Sequence, residues 1–217
     1  MDHCQKEATE IDKLRASLLA KEDLIKELNH RFKNYLQAIS YLLSSQIACV
    51  AETAAKDAIT MAVSRIRTVA LIQDMFSSVE QGDVISVRDY LGQLTTYLYD
   101  LYGVAHTITY TLDIDDIALA TEKMVLLGLI LNELLSNIFK YAFLGLGKGR
   151  VLLSLKESQQ DVVLEVSDDG IGLPPRFKMP EDRHSGLGIV QGLSEQLGGV
   201  LSISGQSGTT CTISWKK

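Results

Sequence analysis

The sequence has no apolar run approaching the roughly 18–20 residues that span a bilayer. Its first thirty residues carry charge throughout, so neither an inserted segment nor a secretory leader is expected. Cysteine is scarce. Cys4, Cys49 and Cys211 are far apart and odd in number, which excludes the paired spacings of a thiolate metal site and points to a reducing compartment. Excess positive charge is also missing. The formal net charge is −6, which argues against a broad nucleic-acid-binding face. There is no internal repeat and no low-complexity tract. These absences together lead us to expect a cytoplasmic protein that carries no sensory domain, any sensor lying on another chain or having been removed.

What is present fits an ordinary globular chain. Its 217 residues suffice for one domain with an appendage, or for two small domains. Hydrophobic residues make up 46% and charged residues 22%, the balance of a chain that buries a core.

Residues 8 to 47 contain neither Gly nor Pro. Apolar residues fall at Ile11, Leu14, Leu18, Ile25, Leu28, Phe32, Tyr35, Ile39 and Leu42, alternating three and four apart with Lys21 in one slot. This spacing predicts a long helix with a seam, as in a coiled coil or bundle. With Ile25 at a and Leu28 at d, His30 falls at f, the outer position. A core histidine would have apolar neighbours on its face, and a metal ligand would have a second ligand one turn away. His30 has neither.

A second helix is expected over about 52–76, with Ala58, Ala62, Ile66, Val69, Ile72 and Phe76 on one face, packing antiparallel on the first as a hairpin. Gln81-Gly82-Asp83 then marks a break. Domains 1–80 and 84–217 follow from it.

Beyond the break, 86–101 reads as a helix and 106–114 alternates as a strand. Thr121 precedes, in the capping position, an apolar helix that runs to about Phe143, with Glu122 in its first turn, where a carboxylate is favourable. Strands are expected at 151–156 and 162–167, a loop at 168–185, a helix at 187–197 ended by Gly198-Gly199, and strands at 200–204 and 209–215. The fold class is therefore α+β. An N-terminal helical hairpin precedes a two-layer sandwich, with a mostly antiparallel sheet and its helices on one face.

Four short motifs carry the chemistry. In the first, Asn132 to Ala142 (N-E-L-L-S-N-I-F-K-Y-A), Glu133, Asn137 and Lys140 share a polar stripe on an apolar helix, with Tyr141 beside it. A solvated face explains such a stripe as readily as a site does. In the second, V-S-D-D-G-I-G-L-P, a strand ends in acids followed by Gly170 and Gly172, which admit a ligand close to the backbone. The third is S-G-L-G-I-V. Gly186, Leu187 and Gly188 open a helix whose free N–H groups attract phosphate. It lacks the lysine of a P-loop and does not follow a strand as in a dinucleotide fold. The last is Gly208-Thr209-Thr210, entering the final strand. Each motif alone is weak.

In this order the four resemble the ATP-binding domain shared by gyrase B, Hsp90, histidine kinases and MutL, over about 84–215. The stretch H-R-F-K-N, His30 to Asn34, resembles the phospho-acceptor helix of the histidine kinase subfamily with H-R-x-K-N. So do L-Q-A-I after it and S-R-I-R, Ser64 to Arg67.

The resemblance implies that His30 accepts the γ-phosphoryl group of ATP and passes it to an aspartate of a response-regulator receiver domain. Asn137 would bind Mg2+ through its amide oxygen. Glu133 would orient water or accept a proton, and Lys140 would sit near phosphate charge. Asp168 would accept a hydrogen bond from the adenine amino group. Gly170 and Gly172 would admit the nucleotide. Gly186 and Gly188 would hinge a lid over 173–185, in which His184 lies, and Thr209 would close the adenine end. Arg31 occupies the position where many such kinases carry an acid. A cation there favours the neutral imidazole and cannot be the base; Arg31 and Lys33 would instead grip phosphate, stabilise phosphohistidine or remain exposed. Asn34, one turn from His30, would position water to dephosphorylate the regulator.

The implied assembly is a homodimer through the hairpin, with a monomer as the other possibility, and with no nucleic acid and no membrane insertion. Two further readings compete. A serine kinase that holds a sigma factor shares the ATP domain but lacks the hairpin histidine. A histidine phosphotransfer relay protein has the hairpin with a degenerate ATP domain.

Overall fold

The computed structural model describes residues 2–47, 49–78, 85–174, 177–179, 182, 185–205 and 207–217, with backbone alone at 2–9, 12, 22, 26, 54 and 76–78. The expected break at Gln81-Gly82-Asp83, the start of the second domain at Val84, and His184 lie outside the described residues. So do the side chains of His3, Cys4 and Phe76.

Two long helices form the hairpin: α1 (Asp2–Ile47) and α2 (Thr53–Ser78). Lys33 of α1 reaches Asp74 of α2 at 2.7 Å, and with only five residues between Ile47 and Thr53 the pair is antiparallel. The heptad residues of α1 are unpartnered in the single chain. Leu14, Leu18, Ile25, Leu28, Tyr35 and Leu42 are all more than half exposed, an apolar stripe that intramolecular packing leaves to solvent. The face that α2 buries differs from the expected one. Val63, Ser64, Thr68 and Ile72 are buried, whereas Ala62, Ile66 and Val69 are only partly covered and Ala58 is exposed. Two of the buried residues are polar because their hydroxyls meet Asn132 of the next domain.

That domain follows with α3 (Val87–Tyr102), β1 (Ile108–Ile114), α4 (Thr121–Asn137), β2 (Gly149–Glu157), β3 (Asp161–Asp168), α5 (Gly186–Gln196), β4 (Gly199–Ser204) and β5 (Thr210–Lys216). The sheet order is β1-β2-β3-β5-β4. Three pairings are antiparallel, and β1 with β2 is parallel because α4 crosses between them. Alternation places Val151, Leu153, Leu155, Val162, Leu164, Val166, Ile213 and Trp215 on the buried side. There they form one core with Leu91, Leu94, Leu98, Leu127, Ile130, Leu131 and Val190 from the helices.

Local chemistry sets the helix ends. Ser86 caps α3, its hydroxyl accepting from the Asp89 N–H at 3.2 Å. Thr121 is the first residue of α4 and does not cap it; the cap position is Ala120, whose side chain accepts no bond. At its other end α4 passes into a π-helical turn, Ile138–Ala142. Phe139 in that turn packs edge-on to Tyr99, with ring centroids 4.8 Å apart. The segment Thr121–Ala142 is long and apolar enough by composition to cross a membrane, contrary to the absence of any such run expected above, but 61% of its most apolar window is buried inside the protein. Core packing explains that composition.

Candidate nucleotide and phospho-acceptor sites

The four motifs converge. A cavity of about 440 Å³ opens between the end of α4, the start of α5 and the ends of β3 and β5. Asn137, Tyr141, Asp168, Gly172, Gly186, Leu187 and Thr209 line it, and Leu134, Ile138, Val166, Ile171, Ile203 and Cys211 supply its apolar walls. An apolar slot with a few placed polar groups has the form of a small-molecule site. Lys140, Gly170, Gly188 and Glu133 do not line it.

Asp168 ends β3 with its carboxyl group largely withdrawn from solvent. Burial raises its proton affinity above that of an ordinary aspartate, opposed by hydrogen bonds from Gly170 and Thr209. The Gly170 N–H donates to Asp168 Oδ1 at 2.9 Å. The next residue, Asp169, turns outward instead. Its carboxylate takes the Arg150 backbone N–H at 2.6 Å and the Arg150 Nε at 2.9 Å, which holds it below the usual carboxylate range. Of the two acids in D-D-G, one faces the cavity and the other ties down the loop. Burial beside Asp168 pushes the Cys211 thiol up to about 12, so this cysteine acts as wall, not nucleophile.

Two glycines here have a steric reason. A Cβ on Gly170 would stand 2.2 Å from the Ala142 carbonyl oxygen, the same oxygen that accepts the Ile171 N–H at 2.8 Å. The acidic loop is thus sewn to the π-helical turn. At Gly208, φ is +85° and a Cβ would meet the Asp168 carbonyl oxygen at 2.0 Å.

Ser185 caps α5. Its hydroxyl accepts from the Gly188 N–H at 3.1 Å and donates to the Asp182 carbonyl at 2.7 Å. The N–H of Gly188 is thereby taken, while the start of the helix at Gly186 and Leu187 borders the cavity. Gly186 also lets Asn137 and Glu133 come close: a Cβ there would lie 3.3 Å from Asn137 Nδ2 and from Glu133 Oε2.

The polar stripe of α4 is not a solvated face. Glu133 is fully buried, as are Asn132 and Ser136. Both carboxylate oxygens of Glu133 bind Arg65 of α2, Oε1 to Nε at 2.6 Å and Oε2 to Nη2 at 2.9 Å. Asn132 Nδ2 donates to Ser64 Oγ at 2.6 Å and Thr68 Oγ1 at 2.8 Å. The sequence assigns no role to Ser64, Arg65 or Thr68, although Ser64 and Arg65 stand in the S-R-I-R motif.

His30 lies apart from this cavity and is exposed on α1, as are the seam residues Ile25 and Leu28 beside it. Asn34 Nδ2 stands 3.4 Å from its Nδ1. Arg31 pairs back to Glu27 at 2.5 Å, and Lys33 is engaged with Asp74. Among the described residues no group of three or more His, Cys, Asp or Glu side chains is placed to hold a metal ion.

Residues 27–102 match the family described as histidine kinase, and residues 122–217 match that described as histidine kinase-, DNA gyrase B-, and HSP90-like ATPase. The sensor histidine kinase PdtaS of Mycobacterium tuberculosis is 26% identical over 200 residues, covering 91% of this chain and 40% of that protein. Blue-light-activated histidine kinase 2 of Erythrobacter litoralis is 26% identical over 210 residues, 95% of this chain and 58% of that one. The chain thus spans less than two thirds of the length of these relatives. The solved histidine kinase domain of the Erythrobacter litoralis EL346 blue-light-activated kinase superposes with a TM-score of 0.64 at 21% identity, covering 82% of this chain and 95% of that one. It has the same fold. The match over 27–102 brings the hairpin into the family, and nothing found favours the sigma-binding or relay readings.

Proposed function

The chain belongs to the histidine kinase family, and on that premise we propose that it phosphorylates its own His30 from MgATP and passes the phosphoryl group to an aspartate of a response-regulator receiver domain. The observation that carries this reading is the convergence of four separated motifs on one cavity, through Asn137, Asp168, Gly186 and Thr209, in a chain that also presents an exposed histidine.

Asp168 accepts from the adenine amino group, an interaction that needs the ionised or at least acceptor form of a partly buried carboxyl. The start of α5 and the Asn137 amide border the cavity where the phosphates lie. Asn137 offers Mg2+ one hard oxygen, and the remaining ligands would come from phosphate and water, the usual pattern for that ion. Mg2+ supplies neutralisation of the charge spread over the transferring group. The chain's own task is then positioning: an exposed imidazole must be held in line, with its attacking nitrogen unprotonated. Arg31, compensated by Glu27, does not act as a base. Lys140, Tyr141, Leu187, Gly170, Gly172 and Gly188 shape the surround.

The exposed apolar stripe from Leu14 to Leu42 supports association of two hairpins into a bundle. Location in the cytoplasm, and a sensor outside residues 1–217, belong to the same proposal.

The test is chemical. The chain is incubated with γ-labelled ATP and Mg2+, and the product is treated with acid and with alkali. Label that is acid-labile and alkali-stable supports a phosphohistidine. Acid-stable label, or none, contradicts it.

A further inference from the structure

A bidentate ion pair joins the hairpin to the rim of the nucleotide site. Arg65 of α2 holds both oxygens of Glu133 on α4. The carboxylate is 1% exposed and the guanidinium 36%. The neighbouring Asn132 spans Ser64 and Thr68, so polar groups make the docking contact, as is common where two domains must separate again.

These contacts set the direction of α4 along α2. A Cβ on Gly128 would touch the Thr68 methyl group at 3.0 Å, Asn132 lies between Thr68 and Ser64, and Glu133 meets Arg65. As the number rises on α4 it falls on α2. Asn137 therefore lies beyond Arg65 on the side of the hairpin loop.

His30 lies in the opposite direction. The Lys33–Asp74 pair puts His30 level with about residue 77 of α2, some twelve residues beyond Arg65. At ~1.5 Å per residue this is about 18 Å of helix rise, and more from Asn137. A triphosphate chain is shorter than that. A second copy docked along the α1 stripe in a parallel bundle would carry its own His30 at the same height, so the gap persists between chains.

We propose that Arg65 and Glu133 form a latch that holds the ATP-binding domain docked short of His30, and that phosphotransfer requires the latch to open. The inference rests on reading His30 as the acceptor. Arg65 is a positioning residue: it acts through Glu133 and through the placement of the domain. Without Arg65, Glu133 would be an unpaired carboxylate in a site closed to water, and undocking would hydrate it. Asn132 Oδ1, buried without a hydrogen-bond partner in the docked arrangement, would be hydrated by the same movement.

The experiment uses the full chain with Cys4→Ser and Val200→Cys. Nitroxide labels go on the exposed Cys49 and on position 200, which is 72% exposed, and Cys211 stays buried. Pulsed dipolar spectroscopy reads the separation of hairpin and domain. In parallel, the initial rate of acid-labile labelling and the KM for ATP are measured. The native side chain should give one narrow distance. Arg65→Gln should broaden it to longer values and raise the labelling rate at least threefold with KM changed less than twofold, and Arg65→Lys should restore the narrow distance. A distance distribution unaltered by Arg65→Gln, or a labelling rate that falls, overturns the latch. A native chain that takes no label overturns the acceptor reading instead, and the distance distributions then decide the latch by themselves.

Discussion

Asn34 Nδ2 lies 3.4 Å from His30 Nδ1, one helical turn along the outer face of α1. The amide nitrogen donates, so in this arrangement Nδ1 holds the lone pair of the neutral ring and Nε2 the proton, and attack by Nε2 requires another group to take that proton. We propose that the same amide orders a water molecule against the phospho-aspartate of the regulator. Asn34→Ala should retain His30 labelling within a few-fold and slow dephosphorylation of the cognate regulator at least tenfold. Dephosphorylation at the native rate would contradict that role.

Asp168→Asn should weaken ATP binding. A hydrogen bond to a charged partner contributes about 1.5–3 kcal/mol, which corresponds to roughly a ten- to hundredfold rise in Kd, read by calorimetry. Discrimination of ATP over GTP should fall with it. An unchanged Kd would remove Asp168 from the adenine contact.

Burial raises the Asp168 proton affinity, and this gives a pH dependence of definite sign. The folded chain binds this proton more tightly than the unfolded chain does. The group therefore favours folding most below the ordinary aspartate range, and that contribution is lost as pH rises through the raised value. Nucleotide binding runs the other way, because the ionised carboxylate is the better acceptor. ATP affinity should start to drop on acidification at a higher pH than an ordinary aspartate would give. Affinity that stays flat down to the ordinary range would contradict the assignment.

Gly208→Ala forces a Cβ onto a left-handed residue whose site is filled by the Asp168 carbonyl oxygen. The left-handed conformation alone costs about 1–2 kcal/mol, and the overlap adds to it. The melting temperature should fall by several degrees or more. Gly147→Ala, where a Cβ would meet nothing within 4 Å, should change it little. Equal effects at the two positions would contradict the steric account.

The apolar stripe of α1 predicts an oligomeric state. Ile25→Glu with Leu28→Glu places charge on two residues that are 57% and 56% exposed in the single chain. Sedimentation should show a dimer become a monomer with the fold intact by circular dichroism. A mass unaffected by both substitutions would assign the stripe to another partner.

The parts legible in the sequence were those with a local signature. Heptad spacing placed His30 outward, and glycines and acids at fixed offsets located the cavity. The parts that were not legible depend on partners far along the chain. Arg65 and Glu133 are 68 residues apart, and no local pattern pairs them. Ser64 and Thr68 broke the apolar period of α2, so its buried face was misplaced, because polar residues were not expected to point inward without sight of Asn132. The walls Ile138, Ile203 and Cys211 read as ordinary core, since an apolar slot for a flat ring and a hydrophobic core call for the same residues. The parallel pairing of β1 with β2 follows from the α4 crossover, which strand patterns do not encode. The Ser185 cap stood in the sequence before a helix start and could have been read from its position alone.

Every step proposed after ATP binding requires that His30 receive the phosphoryl group. The most direct measurement compares the native chain with His30→Gln under γ-labelled ATP and Mg2+. Acid-labile label is expected on the native chain and none on the variant, with ATP binding equal in both. Label that survives His30→Gln would place the acceptor elsewhere and contradict the account.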